Sequence, residues 1–176
     1  MAVIRLELPA DIPPIRELLE EVFPGQGEAD LVDALRRDGD VVLSLVAERD
    51  GHVVGHVMLS RLLVEDEAGS APAVALGPLA VYPEYQHRGV ATLLIREAHA
   101  CLAYLGERLS VVLGEPDFYG KFGYSHRRAS RFASDYQSAY LMALSFGEAP
   151  WEGRLVYPAA FAALTDDAPL QADHRV

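Results

Sequence analysis

A mixed α/β sheet with helices on both faces is the fold class this chain predicts, and three observations carry it. Apolar residues repeat with the helical period in some stretches and with the strand period in others, and the two alternate along the chain. Asp50-Gly51 separates two apolar runs, the strongest short signal for a hairpin. The apolar run Ala73–Val81 feeds through a polar turn almost directly into a long amphipathic helix.

Taken in order, Ala2–Leu8 alternates like a first strand. Asp11 is placed to cap a helix whose first turn carries Pro13 and Pro14 and whose stripe is Ile15, Leu18, Leu19, Val22 and Phe23. Pro24-Gly25 stops it, and a shorter helix is expected over Glu28–Arg37. Strands follow at Val41–Glu48 and His52–Val64, then an acidic loop, Glu65–Ser70, then the strand Ala73–Val81. A helix His87–Leu105 puts Val90, Leu94, Ala98, Cys101 and Leu105 on one face and ends at Gly106. Leu109–Leu113 is a short buried strand, followed by a helical turn through Phe118, Tyr119 and Phe122. Strands near Tyr124–Arg128 and Ala139–Leu144 close the sheet, and Trp151–Phe161 adds a further strand or a packed extension. The length suits a single domain over residues 1–164, with Thr165–Val176 expected as a flexible tail.

Composition excludes several classes. A formal charge of −11 lacks the basic footprint that nucleic-acid binding requires. The single cysteine, Cys101, allows no internal disulfide and reads as an inert core thiol, and no residues cluster with metal-ligand spacing. Arg5 and Glu7 interrupt the first apolar stretch, so no secretory leader is expected; no apolar run reaches membrane length, and the cytoplasm is the default location.

The most informative segment is Tyr82–Leu94, YPEYQHRGVATLL. A glycine-bearing turn between a strand and a helix leaves main-chain N–H groups pointing outward, and the helix dipole adds positive charge there. Such a turn suits a phosphate or pyrophosphate. No Gly-Lys-Ser/Thr loop exists in the chain, and Gly89 lacks the companion glycines of a dinucleotide fingerprint. Upstream, Gly77-Pro78 interrupts the apolar strand. Proline cannot donate to a ladder, so a bulge or broken pairing is expected, freeing the main chain at Leu79 to Val81.

LGPLAVYPEYQHRGVATLLI at 76–95, VVLGEPDFYGKFGY at 111–124 and RLVYPAAF at 154–161 together resemble the GNAT superfamily of N-acetyltransferases, and its YhbS-like branch in particular. The resemblance implies a mostly antiparallel central sheet of about seven strands, splayed between strands 4 and 5. It implies acetyl-CoA as acyl donor without a metal, its pyrophosphate held by the turn Gln86, His87, Arg88, Gly89, Val90, Ala91 and Thr92, and its pantetheine arm along Leu79, Ala80 and Val81. It also implies that Tyr119, in Tyr119-Gly120-Lys121-Phe122-Gly123, donates a proton to the departing thiol; the alternative is a core aromatic with a satisfied hydroxyl. An upstream Asn common in the family is replaced here by Gly114-Glu115-Pro116.

The attacking amine must lose a proton, and Glu28, Glu48, His56, Glu84 and Glu115 are all conceivable bases, with none assigned. His56, sharing a strand face with Met58 and Ser60, reads better as a satisfied sheet histidine. The acceptor end is expected from the loop Phe23–Glu28 and from Ser134–Ser138, with Asp135 and Tyr136. The expected reaction is acetyl transfer to a primary amine of a small molecule, less readily of a protein, without nucleic acid or membrane partners; a homodimer is compatible with the sequence. A non-catalytic CoA-binding domain serving regulation or assembly is the alternative.

Overall fold

The computed structural model describes residues 1–164, and the expected tail Thr165–Val176 lies outside them. Eight strands form one sheet: β1 (Val3–Leu6), β2 (Val41–Arg49), β3 (His52–Asp66), β4 (Gly69–Val81), β5 (Leu109–Leu113), β6 (Phe132–Ala133), β7 (Leu141–Ser145) and β8 (Gly153–Val156). The main path is β1-β2-β3-β4-β5-β7; β8 pairs with β3 and with β6. All pairs are antiparallel except β4-β5 and β6-β8, which are parallel. Helices α1 (Ile12–Val22), α2 (Gly27–Asp38), α3 (Val90–Leu105), α4 (Pro116–Tyr119) and α5 (His126–Ala129) complete the described secondary structure with short 3-10 turns, one of them Ala159–Leu164.

Each sheet face carries its own core. Leu18 and Leu19 of α1 and Leu31 and Leu35 of α2 pack with Met58, Leu62, Ala73, Ala75 and Ala80. Leu94, Ile95, Ala98 and Leu102 of α3 pack on the opposite face with Leu45, Val57, Leu59, Val74, Leu79 and Val81. Side chains alternate faces along a strand. Even-numbered Val74 and Leu76 nevertheless share a face with odd-numbered Leu79 and Val81. The register explains this: Val57 pairs with Leu79 but Leu59 with Leu76, so β4 carries one residue more than β3 across Gly77-Pro78. This bulge inverts the parity of the strand.

The same bulge ends the contact with β5. Only Val74, Ala75 and Leu76 pair with β5, against Ser110, Val111 and Val112. Beyond them β5 stays with β7 to Leu113-Leu141, while β4 stays with β3 to Val81-Gly55. The two strands therefore part after Leu76, as expected.

Several local expectations need correction. Glu65–Ser70 is not a loop: the ladder runs to the Asp66-Gly69 pair, and the Asp66 carboxylate accepts from the Ala68 and Gly69 N–H groups, closing a tight hairpin. Tyr124–Arg128 is not a strand. Ser125 makes one bridge to Ala143, and its hydroxyl then accepts from the Arg128 N–H and starts a helical turn. Helix α3 begins at Val90, not His87, because Gly89 is left-handed at φ 84°. Its buried face is Val90, Ala91, Leu94, Ile95, Ala98 and Leu102; Cys101 is half-buried and Leu105 is 54% exposed. Trp151–Phe161 resolves into β8 and the start of the 3-10 helix.

Asp11 does not cap α1. Its carboxylate takes the Arg5 guanidinium (2.7 and 2.9 Å) and the Leu8 N–H (2.7 Å), tying β1 to the helix start. Arg16 of α1 meets Asp30 and Asp33 of α2, joining the two helices, and Arg36 of α2 meets Glu7 just beyond β1. Gly55 lets α3 lie close on β3: a Cβ there would sit 3.1 Å from Val90, 3.2 Å from Leu94 and 3.3 Å from the Ala80 carbonyl.

Two outcomes are expected. The Arg5 hydrogen bond, joined by that from Leu8, holds the Asp11 carboxyl below the usual carboxylate range against the opposing effect of burial. Asp11 therefore stabilises the fold above its unfolded pKa and loses that contribution as pH falls through the depressed native one. Asp11→Asn should cost about 1–3 kcal/mol in urea unfolding at pH 7, with the gap to wild type closing in acid. Gly55→Ala should cost about 1–3 kcal/mol, because a main-chain carbonyl bounds one side of the new methyl.

Candidate active site

The splay leaves one edge of β4 open, and its main chain can be assigned from its hydrogen bonds. The Tyr82 N–H donates to the Val54 carbonyl (3.0 Å), so Tyr82 and Ala80 turn their polar main-chain groups to β3. Alternation turns those of Leu79 and Val81 the other way, into the gap. The Gln86 side-chain amide donates to the Val81 carbonyl at 2.9 Å. Gln86 thus caps the end of the open edge, while its own N–H bonds the Pro83 carbonyl (3.3 Å).

Immediately beyond, His87 (φ 58°) and Gly89 (φ 84°) both adopt left-handed conformations. Alternation of this kind turns successive N–H groups toward one point and forms an anion nest. The first helical bond of α3 runs from Leu93 N–H to the Gly89 carbonyl at 3.0 Å. The N–H groups of Val90, Ala91 and Thr92 have no main-chain acceptor among the described residues and point out of the helix start. They open into a depression lined by Val81, Gln86, His87, Gly89, Phe118 and Lys121. Arg88 is exposed beside it. Lys121 supplies a cation that the sequence reading did not assign, although it stands inside the Tyr119–Gly123 motif.

At the other end of the open edge lies a pocket. Gly77, Pro78 and Leu79 of β4 and Val111 and Leu113 of β5 form one side; Phe23, Glu28, Tyr136, Tyr157 and Phe161 form the other. The loop between α1 and α2 and the segment after β6 thus meet here. Tyr157 and Phe161 were not singled out, although the 154–161 segment was; its aromatics are the signal that could have found them. Tyr157 packs edge-on against Tyr136 with centroids 5.0 Å apart. Burial pushes the Glu28 carboxyl above its ordinary range, partly offset by a bond from its own N–H.

Tyr119 is 1% exposed and shares the α3-side core with Leu79, Val81 and Val112. Its hydroxyl has no hydrogen-bond partner among the described residues. Neighbouring Tyr124 differs: its hydroxyl meets Ser110 Oγ at 2.8 Å and His99 Nε2 at 2.9 Å. Burial raises the Tyr119 pKa, with a smaller contribution from Tyr124, so the phenol keeps its proton at neutral pH. The side chain lines neither of the two openings.

Among the other candidate bases, His56 is fully buried, bonds Ser44 Oγ through Nε2 at 2.9 Å and is held neutral, its pKa pushed down to about 3 mainly by burial. It has no access to the gap. Glu48 pairs with Arg5 on β2, and Glu84 sits in the turn before Gln86; neither lines the pocket. Glu115 lies at the start of α4, where its carbonyl accepts from Phe118 and Tyr119, and it too is absent from the pocket wall. Among the described residues no cluster of three or more potential metal ligands occurs, and no helix is long and apolar enough to cross a membrane.

Comparisons with known proteins agree with this geometry. Residues 3–127 match the acetyltransferase (GNAT) domain family. An uncharacterized N-acetyltransferase of Escherichia coli K12, YhbS, is 40% identical over 123 residues, covering 69% of this chain and 72% of that protein. A crystal structure of Escherichia coli YhbS in complex with CoA superposes with a TM-score of 0.84 at 31% identity over 92% of both chains. A GNAT acetyltransferase from Brucella melitensis in complex with acetyl-CoA gives 0.77 at 36% identity, covering 92% of this chain and 98% of its own. With this sheet, this splay and these relatives, the chain belongs to the GNAT family of N-acetyltransferases.

Proposed function

We propose that this protein transfers an acetyl group from acetyl-CoA to a primary amine of a small molecule in the cytoplasm, with Tyr119 as proton donor to the departing thiol. One observation carries the reading. The unladdered edge of β4 runs between two openings, one walled by unpaired amides and the other by apolar and aromatic side chains.

The residues present suit acetyl-CoA. The Val90, Ala91 and Thr92 amides, the His87–Gly89 nest and the Lys121 ammonium would hold a pyrophosphate. Leu79, through its N–H and C=O, and Val81, through its N–H, offer main-chain groups to an extended pantetheine arm in the manner of an added strand, the Val81 carbonyl being taken by Gln86. Ala80, turned to β3, would contribute packing only. Bound there, acetyl-CoA supplies an activated thioester. The pocket beyond Pro78 would place the acceptor amine, and the apolar walls would exclude water that competes with it.

Tyr119 suits a donor role because it is protonated and its hydroxyl is uncommitted. Burying a hydroxyl without a partner costs about 1–3 kcal/mol. Its neighbour Tyr124, with both bonds made, serves structure instead.

Tyr119→Phe should lower kcat by about 10²–10³-fold while CoA affinity, read by calorimetry, stays within about twofold. Its unfolding free energy should hold or rise, since an unpaired buried polar group is removed. Full activity in this variant would remove the assignment; tight CoA binding by wild type without turnover on any amine would favour a binding domain. Gly89→Val should weaken CoA by about tenfold, because a branched residue is strained by about 1–2 kcal/mol in the left-handed region. An acetyl thioester of N-acetylcysteamine, lacking the pyrophosphate, should react equally well with both proteins.

A further inference from the structure

Building on the acetyl-transfer reading, we infer that Glu28 is the base that takes the proton from the acceptor ammonium, and that the acceptor is a monoamine on an apolar or aromatic body. Glu28 is half-buried and lines the pocket at the splay together with Gly77, Pro78 and Leu79. Among the described residues no Arg, Lys or His lines that pocket to neutralise it. The remaining wall is apolar, apart from the hydroxyls of Tyr136 and Tyr157. A cavity with one anion at its neck and hydrocarbon around it selects a ligand with one cation and a hydrocarbon remainder.

The placement also suits the chemistry. Glu28 is in the first turn of α2, whose side of the sheet is opposite the core that holds Tyr119. The gap between β4 and β5 is where the two sides communicate. An ammonium arriving through the pocket gives one proton to the Glu28 carboxylate. The neutral amine then forms its C–N bond to the acyl carbon, and the C–S bond breaks. The sulfur takes a proton from Tyr119, whose phenol regains one from the new amide nitrogen. Glu28 releases its proton to solvent, so the sum is ammonium plus thioester giving amide, thiol and one proton.

Burial has already raised the Glu28 carboxyl toward the range useful for accepting a proton at neutral pH. β4, β5 and the 3-10 helix Ala159–Leu164 contribute no ionisable group to the wall. Tyr136, with Asp135 as a neighbouring charge, and Tyr157, bonded to Ser134, are both kept protonated by burial. Below about pH 10 the described residues of the pocket wall therefore carry one titrating charge, that of Glu28.

The test uses the full chain with saturating acetyl-CoA and thiol release as the readout. 2-Phenylethylamine and hexylamine should exceed spermidine and phenylalanine in kcat/KM by about tenfold or more, because a second cation or a carboxylate must be desolvated in the apolar pocket. Glu28→Gln should lower kcat by about 10²-fold and abolish the acid limb of the pH profile, whose midpoint in wild type lies above that of an ordinary glutamate. The same variant should melt higher than wild type at pH 7, since it removes an ion whose burial is unfavourable. Glu28→Asp should retain the acid limb with intermediate kcat. Preference for spermidine or phenylalanine, or an undiminished Glu28→Gln enzyme, overturns the inference while leaving acetyl transfer standing. So does a Glu28→Gln protein that loses rate and melting temperature together. CoA binding without turnover of any amine overturns both.

Discussion

One extra residue in β4 organises this molecule. Inserted at Gly77-Pro78, it reverses which side chains face which core and ends the ladder to β5 after Leu76. These are two effects of one geometric event. Had the strand continued in register, Leu79 and Val81 would face α1 and α2 instead of α3, and the main-chain groups now open would bond β5. The strands can part because each keeps another partner, β3 for β4 and β7 for β5. Neither edge is left wholly unpaired, so the gap forms without dismantling the sheet.

The two faces divide the chemistry. On one side α3 starts close against β3, possible because Gly55 has no side chain there, and this brings the exposed amides of Val90 to Thr92 beside the end of β4. On the other side the ion pairs of Arg16 fix α1 to α2, and with them Phe23 at the end of one helix and Glu28 in the first turn of the next. The overall charge of −11 makes the cradle more notable, since the cations Arg88 and Lys121 stand beside it against the trend of the molecule. Main-chain dipoles do the rest, and they are insensitive to composition.

Much of this was legible in the chain. Gly77-Pro78 announced the broken pairing because proline lacks an N–H and glycine admits unusual backbone angles. Asp50-Gly51 announced the hairpin, with both residues found at positive φ. Tyr119 stood out by motif, but its lack of a hydrogen-bond partner could be known only once Tyr124, five residues on, was seen to take Ser110 and His99. Asp11 misled because a good capping residue was claimed by an arginine six residues earlier, a competition that local sequence does not register. Ser125 misled in the other direction: its hydroxyl caps a helical turn where a strand was expected. The pocket wall was only half legible, since Phe23, Glu28 and Tyr136 were placed from loop positions but Tyr157 and Phe161 arrive from a remote segment.

That remote segment has a consequence for how such a protein diversifies. The matched domain ends at residue 127, and the nest, the open strand edge, Tyr119 and Glu28 all lie within it. Tyr136, Tyr157 and Phe161 lie after it, and the final described turn packs back so tightly that Leu164 reaches within 3.1 Å of a Cβ built on Gly27. The pocket is thus walled from both sides of that boundary, by Phe23 and Glu28 before it and by Tyr136, Tyr157 and Phe161 after it, whereas the nest and the open strand edge lie wholly before it. Changes after residue 127 would reshape the far wall of the pocket and leave the nest and the open strand edge as they are. During synthesis the ribosome would likewise release the nest and the strand edge first, and the pocket wall would be completed only as Tyr136, Tyr157 and Phe161 emerge.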